Sequence, residues 1–222
     1  EGERLGAAAD ALLADDDRDD LAGQVGRGVL GAEPVDGSAL PAGDQPDAVG
    51  APAGQGDSHR DAALGNVQAD GSMDVRYELD WNFGEKGRHG IDFRIVSRES
   101  WDPNPLQDVV YEIDNVEVSS PSGAPAQFTE RVSGWGSDEE LVLRIGDPDV
   151  TLDTSEATYV ISYRVRGAMR TFDGFPELQW DIVSGNYPPI EQLTVTVTGP
   201  DGVTRAGCAS GAEDCAAEVR DG

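Results

Sequence analysis

From Asp74 to Phe83 apolar and polar side chains alternate without a break. Val75, Tyr77, Leu79, Trp81 and Phe83 share one parity; Asp74, Arg76, Glu78, Asp80 and Asn82 share the other. A period of two puts these sets on opposite faces of a β-strand, one buried and one wet. The pattern recurs along the chain. Ile91, Phe93 and Ile95 alternate with Asp92 and Arg94, and Leu141, Leu143 and Ile145 alternate with Val142 and Arg144. Tyr159, Ile161, Tyr163 and Val165 follow the same rule, then Leu178, Trp180 and Ile182, then Leu193, Val195 and Val197. No segment after residue 60 sustains a helical period. The chain is therefore expected to be all-β, an antiparallel β-sandwich of about 8–10 short strands.

Local signals refine this frame. Asp70-Gly71 is a hairpin turn signal, which makes Ala62 to Ala69 the expected partner of the Asp74 strand. Val109, Tyr111 and Ile113 share one parity, but Val116 and Val118 take the other. A bulge at Asp114-Asn115 would add one residue and restore the face. Pro200-Asp201-Gly202 is read as a turn into a last short strand near Val203.

The four tryptophans, five tyrosines and five phenylalanines all fall at or after Tyr77. Aromatic side chains supply much of a core's buried area. The ordered domain is accordingly placed at 61–216, with 217–222 as a linker stub. Residues 1–60 are rich in Ala, Gly, Asp and Pro and carry the run Asp15 to Asp20. Such a segment cannot offset its ordering entropy and is expected to be a disordered acidic tail. Leu5 to Ala14 is long enough for a turn or two of nascent helix only.

The net charge is -27, with a single lysine, Lys86. This excludes binding to nucleic acid by an electrostatic patch and argues the same for anionic lipid heads. No stretch reaches the ~18 apolar residues of a membrane helix. The start lacks the basic and apolar regions of a signal peptide, and the end, without a helix or cap signal, reads as that of a fragment. Cys208 and Cys215 do not have zinc-site spacing. Two readings stand, a free pair in a reducing compartment or a small disulfide loop in an oxidising one. The turn-like residues between them favour the loop.

Several stretches in order resemble the amino-terminal domain of a bacterial predicted membrane protein family, the domain of unknown function 2207. They begin with Asp70 to Val75 leading into Trp81-Asn82-Phe83-Gly84, then Arg88-His89-Gly90-Ile91. Ser119 to Pro125, Leu143 to Pro148, Tyr159 to Val165 and Glu177 to Trp180 follow. Pro189-Ile190, Val195 to Val197, Gly199-Pro200 and the closing pair Cys208 and Cys215 complete the likeness. The resemblance implies an exported β domain on the extracytoplasmic face of the cell membrane, followed by transmembrane helices in a longer parent. The membrane enters only through that part of the parent. The family also implies a secretion signal where this chain carries residues 1–60, which are then expected to come from an error of gene prediction. It offers no catalytic residues and no cofactor.

Candidate site residues are few. His59 falls in the tail. Arg88 and His89 lie in a glycine-rich loop suited to holding a ligand, or simply to connecting two strands. Glu177 beside Trp180 is the first carboxylate to consider for glycan hydrolysis. By parity, however, Glu177 points outward and Trp180 into the core. Asp147, Asp149 and Asp153 form a weak calcium candidate without an EF-hand pattern. The loops Trp101 to Pro105 and Ser184 to Pro189 carry aromatics that could recognise a partner or plug the sandwich ends. The expected function is a non-catalytic binding or structural module whose partner is an envelope protein or glycan. The alternatives are an envelope-glycan enzyme using paired carboxylates, or a soluble protein whose acidic tail is functional.

Overall fold

The computed structural model describes residues 10–12, 57–101, 106–172, 174–183, 188–210 and 213–220. The fold is all-β. Its strands are β1 (Asp10–Leu12), β2 (Ser58–Val67), β3 (Met73–Asn82), β4 (Gly90–Val96), β5 (Arg98–Ser100), β6 (Asp108–Val110), β7 (Glu112–Ser119) and β8 (Phe128–Ser133). They continue as β9 (Glu140–Gly146), β10 (Glu156–Arg166), β11 (Met169–Phe172), β12 (Phe175–Asp181), β13 (Ile190–Thr198), β14 (Gly207–Ser210) and β15 (Glu213–Asp214). The fifteen exceed the expected number because short strands such as β5, β6 and β11 extend longer neighbours.

The largest unbroken sheet has the order β13-β2-β3-β10-β7. Its centre is the β3–β10 ladder, paired from Glu156↔Asn82 to Val165↔Met73. The alternation in β3 is realised fully: Met73, Val75, Tyr77, Leu79 and Trp81 are each less than 5% exposed. A three-stranded sheet, β4-β9-β8, and a sheet containing β11, β12, β1, β14 and β15 supply the opposing side chains. Tyr77 meets Phe93 of β4 edge-on at 5.2 Å, and Tyr163 of β10 meets Trp180 of β12 at 6.1 Å. One continuous core joins these faces.

The Asp70-Gly71 hairpin and the Asn115 bulge are both present. Gly71 has φ 80, and β2 pairs β3 from Val67↔Met73 back to Ser58↔Asn82. At the bulge Asn115 takes φ 54, and the β7–β10 register skips between Glu117↔Ser162 and Asp114↔Arg164. The extra residue brings Ile113, Val116 and Val118 to the same core.

Three expectations need correction. The sandwich is not wholly antiparallel, since β13 lies parallel to β2. Asp10–Leu12 is a strand bridging β12 and β14 rather than a helical turn, and Ser58 to Arg60, assigned to the tail, open β2 with His59 buried; the other tail residues up to 56 lie outside the described residues. Val142, expected to alternate outward, is fully buried between Arg94 and Arg131 of the flanking strands. Long arginine stems can cover apolar surface while their heads stay wet.

The chain reverses direction at each connection between these passes. β2 enters at Ser58 and shares that end with Asn82, Gly90, Gly146, Glu156 and Ile190. The opposite end holds Val67, Met73, Val96, Glu140, Arg166 and Thr198. These are called the entry end and the exit end below.

The core also holds phenols. Burial pushes Tyr159 up to about 12, and its hydroxyl has no hydrogen-bond partner. Burial likewise raises Tyr163 and, together with its bond to Glu99, Tyr111. An exposed phenol ionises near pH 10. Folding therefore favours the neutral phenols, a contribution fully present below about pH 10 and lost as pH rises through about 12. Alkaline titration should show phenolate absorbance from these tyrosines rising together with loss of the far-ultraviolet β signal. Ionisation of all five tyrosines in a chain that keeps that signal would contradict this.

Candidate functional site

β2 carries no large apolar residue on its inward face between Ser58 and Gly65. Its inward positions are His59, Asp61, Ala63 and Gly65. The space beside Gly65 is taken by Met73, whose Sδ would lie 2.8 Å from any added Cβ. Further along, polar side chains fill the core. His59 Nδ1–H donates to Asp61 Oδ1 at 2.6 Å, and the Tyr77 hydroxyl donates to Asp61 Oδ2 at 2.9 Å. The imidazole stacks on Trp81, its cross-strand neighbour, at 4.8 Å and 8°. A carboxylate in this position is tolerable only because both oxygens are bonded.

A second polar pair closes the entry end. Asp57 is 3% exposed, and its Oδ2 lies 3.4 Å from Arg88 Nη2. Its Oδ1 has no partner. The Arg88 guanidinium also sits over the Phe83 ring at 5.8 Å. The loop carrying Arg88 is fixed by its backbone. Gly87 N–H donates to Leu152 O, and Leu152 N–H donates to Arg88 O. His89 Nδ1–H donates to Val150 O at 2.9 Å, which leaves Nε2 as its acceptor nitrogen.

Two glycines set this loop. Gly90 (φ 153) and Gly146 (φ 136) face each other across the β4–β9 ladder. A Cβ on Gly90 would sit 1.9 Å from Ile145 O, and one on Gly146 would sit 2.1 Å from His89 O. Both obstacles are backbone, so neither can swing aside.

Arg88 and His89 thus share the entry end with the aspartates of the calcium candidate. Asp147 does not offer a free carboxylate. Its Oδ1 accepts from Asp149 N–H, and its Oδ2 accepts from Gln127 Nε2 at 2.6 Å. Among the described residues no three His, Cys, Asp or Glu side chains are grouped to hold a metal. Glu177 is elsewhere, in β12 opposite Arg170. It is 8% exposed, against the outward expectation, because that face of the β11–β12 hairpin is covered too. There Arg170 donates to Glu99 Oε1 and the Tyr111 hydroxyl, both at 2.7 Å, and to Gln179 at 2.9 Å. Trp180 is core, 4% exposed.

Outside the sheet at the entry end runs an open groove of 660 Å³ lined by Ser58, Arg60, Asp80, Asn82, Thr158 and Glu191, among others. Its polar groups are tied to one another. Arg60 pairs with Glu191 at 2.8 Å, Ser58 donates to Glu191, and Thr158 donates to Asp80. An Asp–His pair of the inner kind can orient an imidazole for proton transfer. Here the ring is 1% exposed and covered by Trp81. Sequence reading missed His59, Asp61 and Asp57 as site residues because the inward polar parity of β2 mimics a solvated tail.

Cys208 and Cys215 form a disulfide across β14 and β15, with Cα atoms 5.2 Å apart. The molecule is thus a disulfide-bearing all-β domain. Residues 64–217 match the family described as "Predicted membrane protein (DUF2207) N-terminal domain", and the chain belongs to that family. No curated protein matches the sequence. Among solved structures, native yeast LTA4 hydrolase is similar at 11% identity and a TM-score of 0.37, over 66% of this chain. The likeness spans only 23% of that chain and carries no argument here.

Replacing Asp61 by Ala leaves His59 and Tyr77 buried without their shared acceptor. Urea unfolding should show a loss of about 3–5 kcal/mol. Gly90→Ala and Gly146→Ala should each cost more than about 1 kcal/mol, visible as a melting temperature lower by at least about 2–4 °C. Unchanged melting in either glycine variant would mean that the two backbones do not approach as described.

Proposed function

We propose that this domain stands on the extracytoplasmic face of a membrane-anchored envelope protein and works as a non-catalytic binding or structural module. The carrying observation is the Cys208–Cys215 disulfide beside the carboxyl-terminal edge of the domain. Such bonds persist in oxidising compartments and are rare where glutathione keeps thiols reduced. Family membership supplies the membrane part of the reading.

The non-catalytic half rests on how the polar groups are used. The Asp61 carboxylate is consumed by His59 and Tyr77, and Arg170 is consumed by Glu99, Tyr111 and Gln179. Groups bonded to one another inside a core rigidify it rather than reach a substrate. His89, half-buried in a loop pinned by Gly90 and Gly146, is the contact this reading favours for an envelope protein or glycan.

The test uses unreduced membranes from cells making the parent protein. A membrane-impermeant maleimide should label neither cysteine until a reductant is added, and both afterwards. Two thiols open to a permeant reagent before reduction would overturn the extracytoplasmic reading. Release of sugar from envelope glycan by the purified chain, abolished in Glu177→Gln, would overturn the non-catalytic one. Cys208→Ser together with Cys215→Ser should lower stability by about 2–3 kcal/mol through restored unfolded-state entropy.

A further inference from the structure

The two ends of the domain differ in what they expose. Among the described residues, the exposed large hydrophobic side chains at the exit end are Leu106 at 93%, Trp135 at 84%, Val132 at 63%, Phe175 at 54% and Val110 at 48%. Only Val150 stands out at the entry end, at 43%. The grouping follows from topology. Trp135 lies in the β8–β9 connection, beyond the Ser133↔Glu140 pair and next to β5. Leu106 lies in the β5–β6 connection, two residues before β6, and β5 continues β4 past Val96. Phe175 closes the β11–β12 hairpin opposite Phe172, and β11 continues β10 past Arg166. Three connections therefore lie at one end, each with an exposed apolar residue.

The chain also leaves at this end. β12 runs from the exit end toward the entry end; β14 is parallel to it, because both lie antiparallel to β1. β15 reverses again, pairing Asp214↔Ala209, with Cys215 N–H donating to Cys208 O. Residues beyond Cys215 accordingly head past Gly207 toward the exit end. The family match ends at residue 217 and is the amino-terminal domain of a membrane protein.

We propose that the exit end is a membrane-facing surface, and that Trp135, Leu106 and Phe175 dip into the headgroup layer of the bilayer that anchors the parent protein. Tryptophan prefers that layer, where its ring is apolar and its N–H finds water or headgroups. With a net charge of -27 the chain gains nothing from anionic lipid, so the contact is apolar and suits zwitterionic heads. Three side chains hold a free domain weakly. A tether at residue 217 supplies a high effective concentration and makes a weak contact sufficient. The inference rests on family membership and chain direction, and not on which side of the membrane the domain occupies.

The whole chain, carrying a carboxyl-terminal histidine tag, is anchored to phosphatidylcholine vesicles containing a nickel-chelating lipid. The vesicles are made with plain or with brominated acyl chains. Bromine should quench part of the tryptophan emission, and Trp135→Phe should remove most of that loss. With Trp101→Phe in every variant, Trp81 and Trp180, both 4% exposed, serve as the unquenched reference within the same molecule. A second variant, Trp135→Phe with Val150→Trp, reports from the entry end and should stay bright. Absence of bromine-dependent quenching in the anchored chain, or equal quenching from position 150, overturns the proposal. Neither result bears on the thiol test above.

Discussion

The inner face of β3 is the constraint around which the rest is arranged. Six side chains from Met73 to Phe83 are buried along it, none more than 4% exposed. A strand of this length runs about 33 Å, longer than the six- and seven-residue strands of the β4-β9-β8 sheet can shelter. The cover is therefore divided. Phe93 and its neighbours in β4 and β9 meet the middle at Tyr77, while Trp180 of β12 meets Tyr163, which pairs with Val75 nearer the exit end. At the entry end the cover is polar. His59 lies on Trp81, and Arg88 lies over Phe83. Several small sheets around one long ladder are the consequence of covering a face that no single short sheet could.

Polar groups enter the core for the same reason. β2 pairs with β3 along its whole length, so its inward side chains must fit under those of β3. Bulky residues at His59 and Asp61 would compete with Trp81 and Tyr77 for volume. The chosen residues instead bond to their neighbours. The bonds also fix register: Asp61 reaches Tyr77 and His59 lies against Trp81 only when Ala63 faces Tyr77. A one-residue slip would turn His59 and Asp61 to solvent and the Ser58 and Arg60 parity inward. Asp57 and Arg88 extend this logic to the loop, with Gly90 and Gly146 allowing the backbones to close.

What was legible in the sequence follows from this division. β3, β4, β10, β12 and β13 announce themselves because each has one apolar and one polar face. The Asn115 bulge was readable as a parity slip, since the strand had to return Val116 and Val118 to the core. The Asp70-Gly71 turn marked β2 from Ala62 onward, but its first residues, Ser58 to Asp61, were unreadable because inward His and Asp look like a solvated segment. β8 was missed because Val132 is exposed and Phe128 alone marks its inner face. Glu177 was assigned outward correctly by parity and wrongly by burial, because parity does not tell whether a second layer covers the other face. The parallel β13–β2 pair joins strands remote in sequence, and no local pattern encodes such a partnership.

The direction of the strands also gives the molecule its polarity. Successive passes alternate from Ser58 onward, so an odd number of them must leave the last pass heading away from the first entry point. β13 already ends at the exit end, at Thr198, and β14 and β15 add two opposite short passes that preserve this outcome. With β14 alone the chain would depart from the end it entered; β15 turns it back. The disulfide sits at that reversal, with Cys208 in β14 and Cys215 immediately after β15. It fixes the last change of direction, and with it the end of the domain from which the chain departs. The cross-link is therefore best understood as setting orientation. The loop residues pinned by Gly90 and Gly146 are kept at the entry end, and the connections with exposed apolar residues at the exit end, by the same parity.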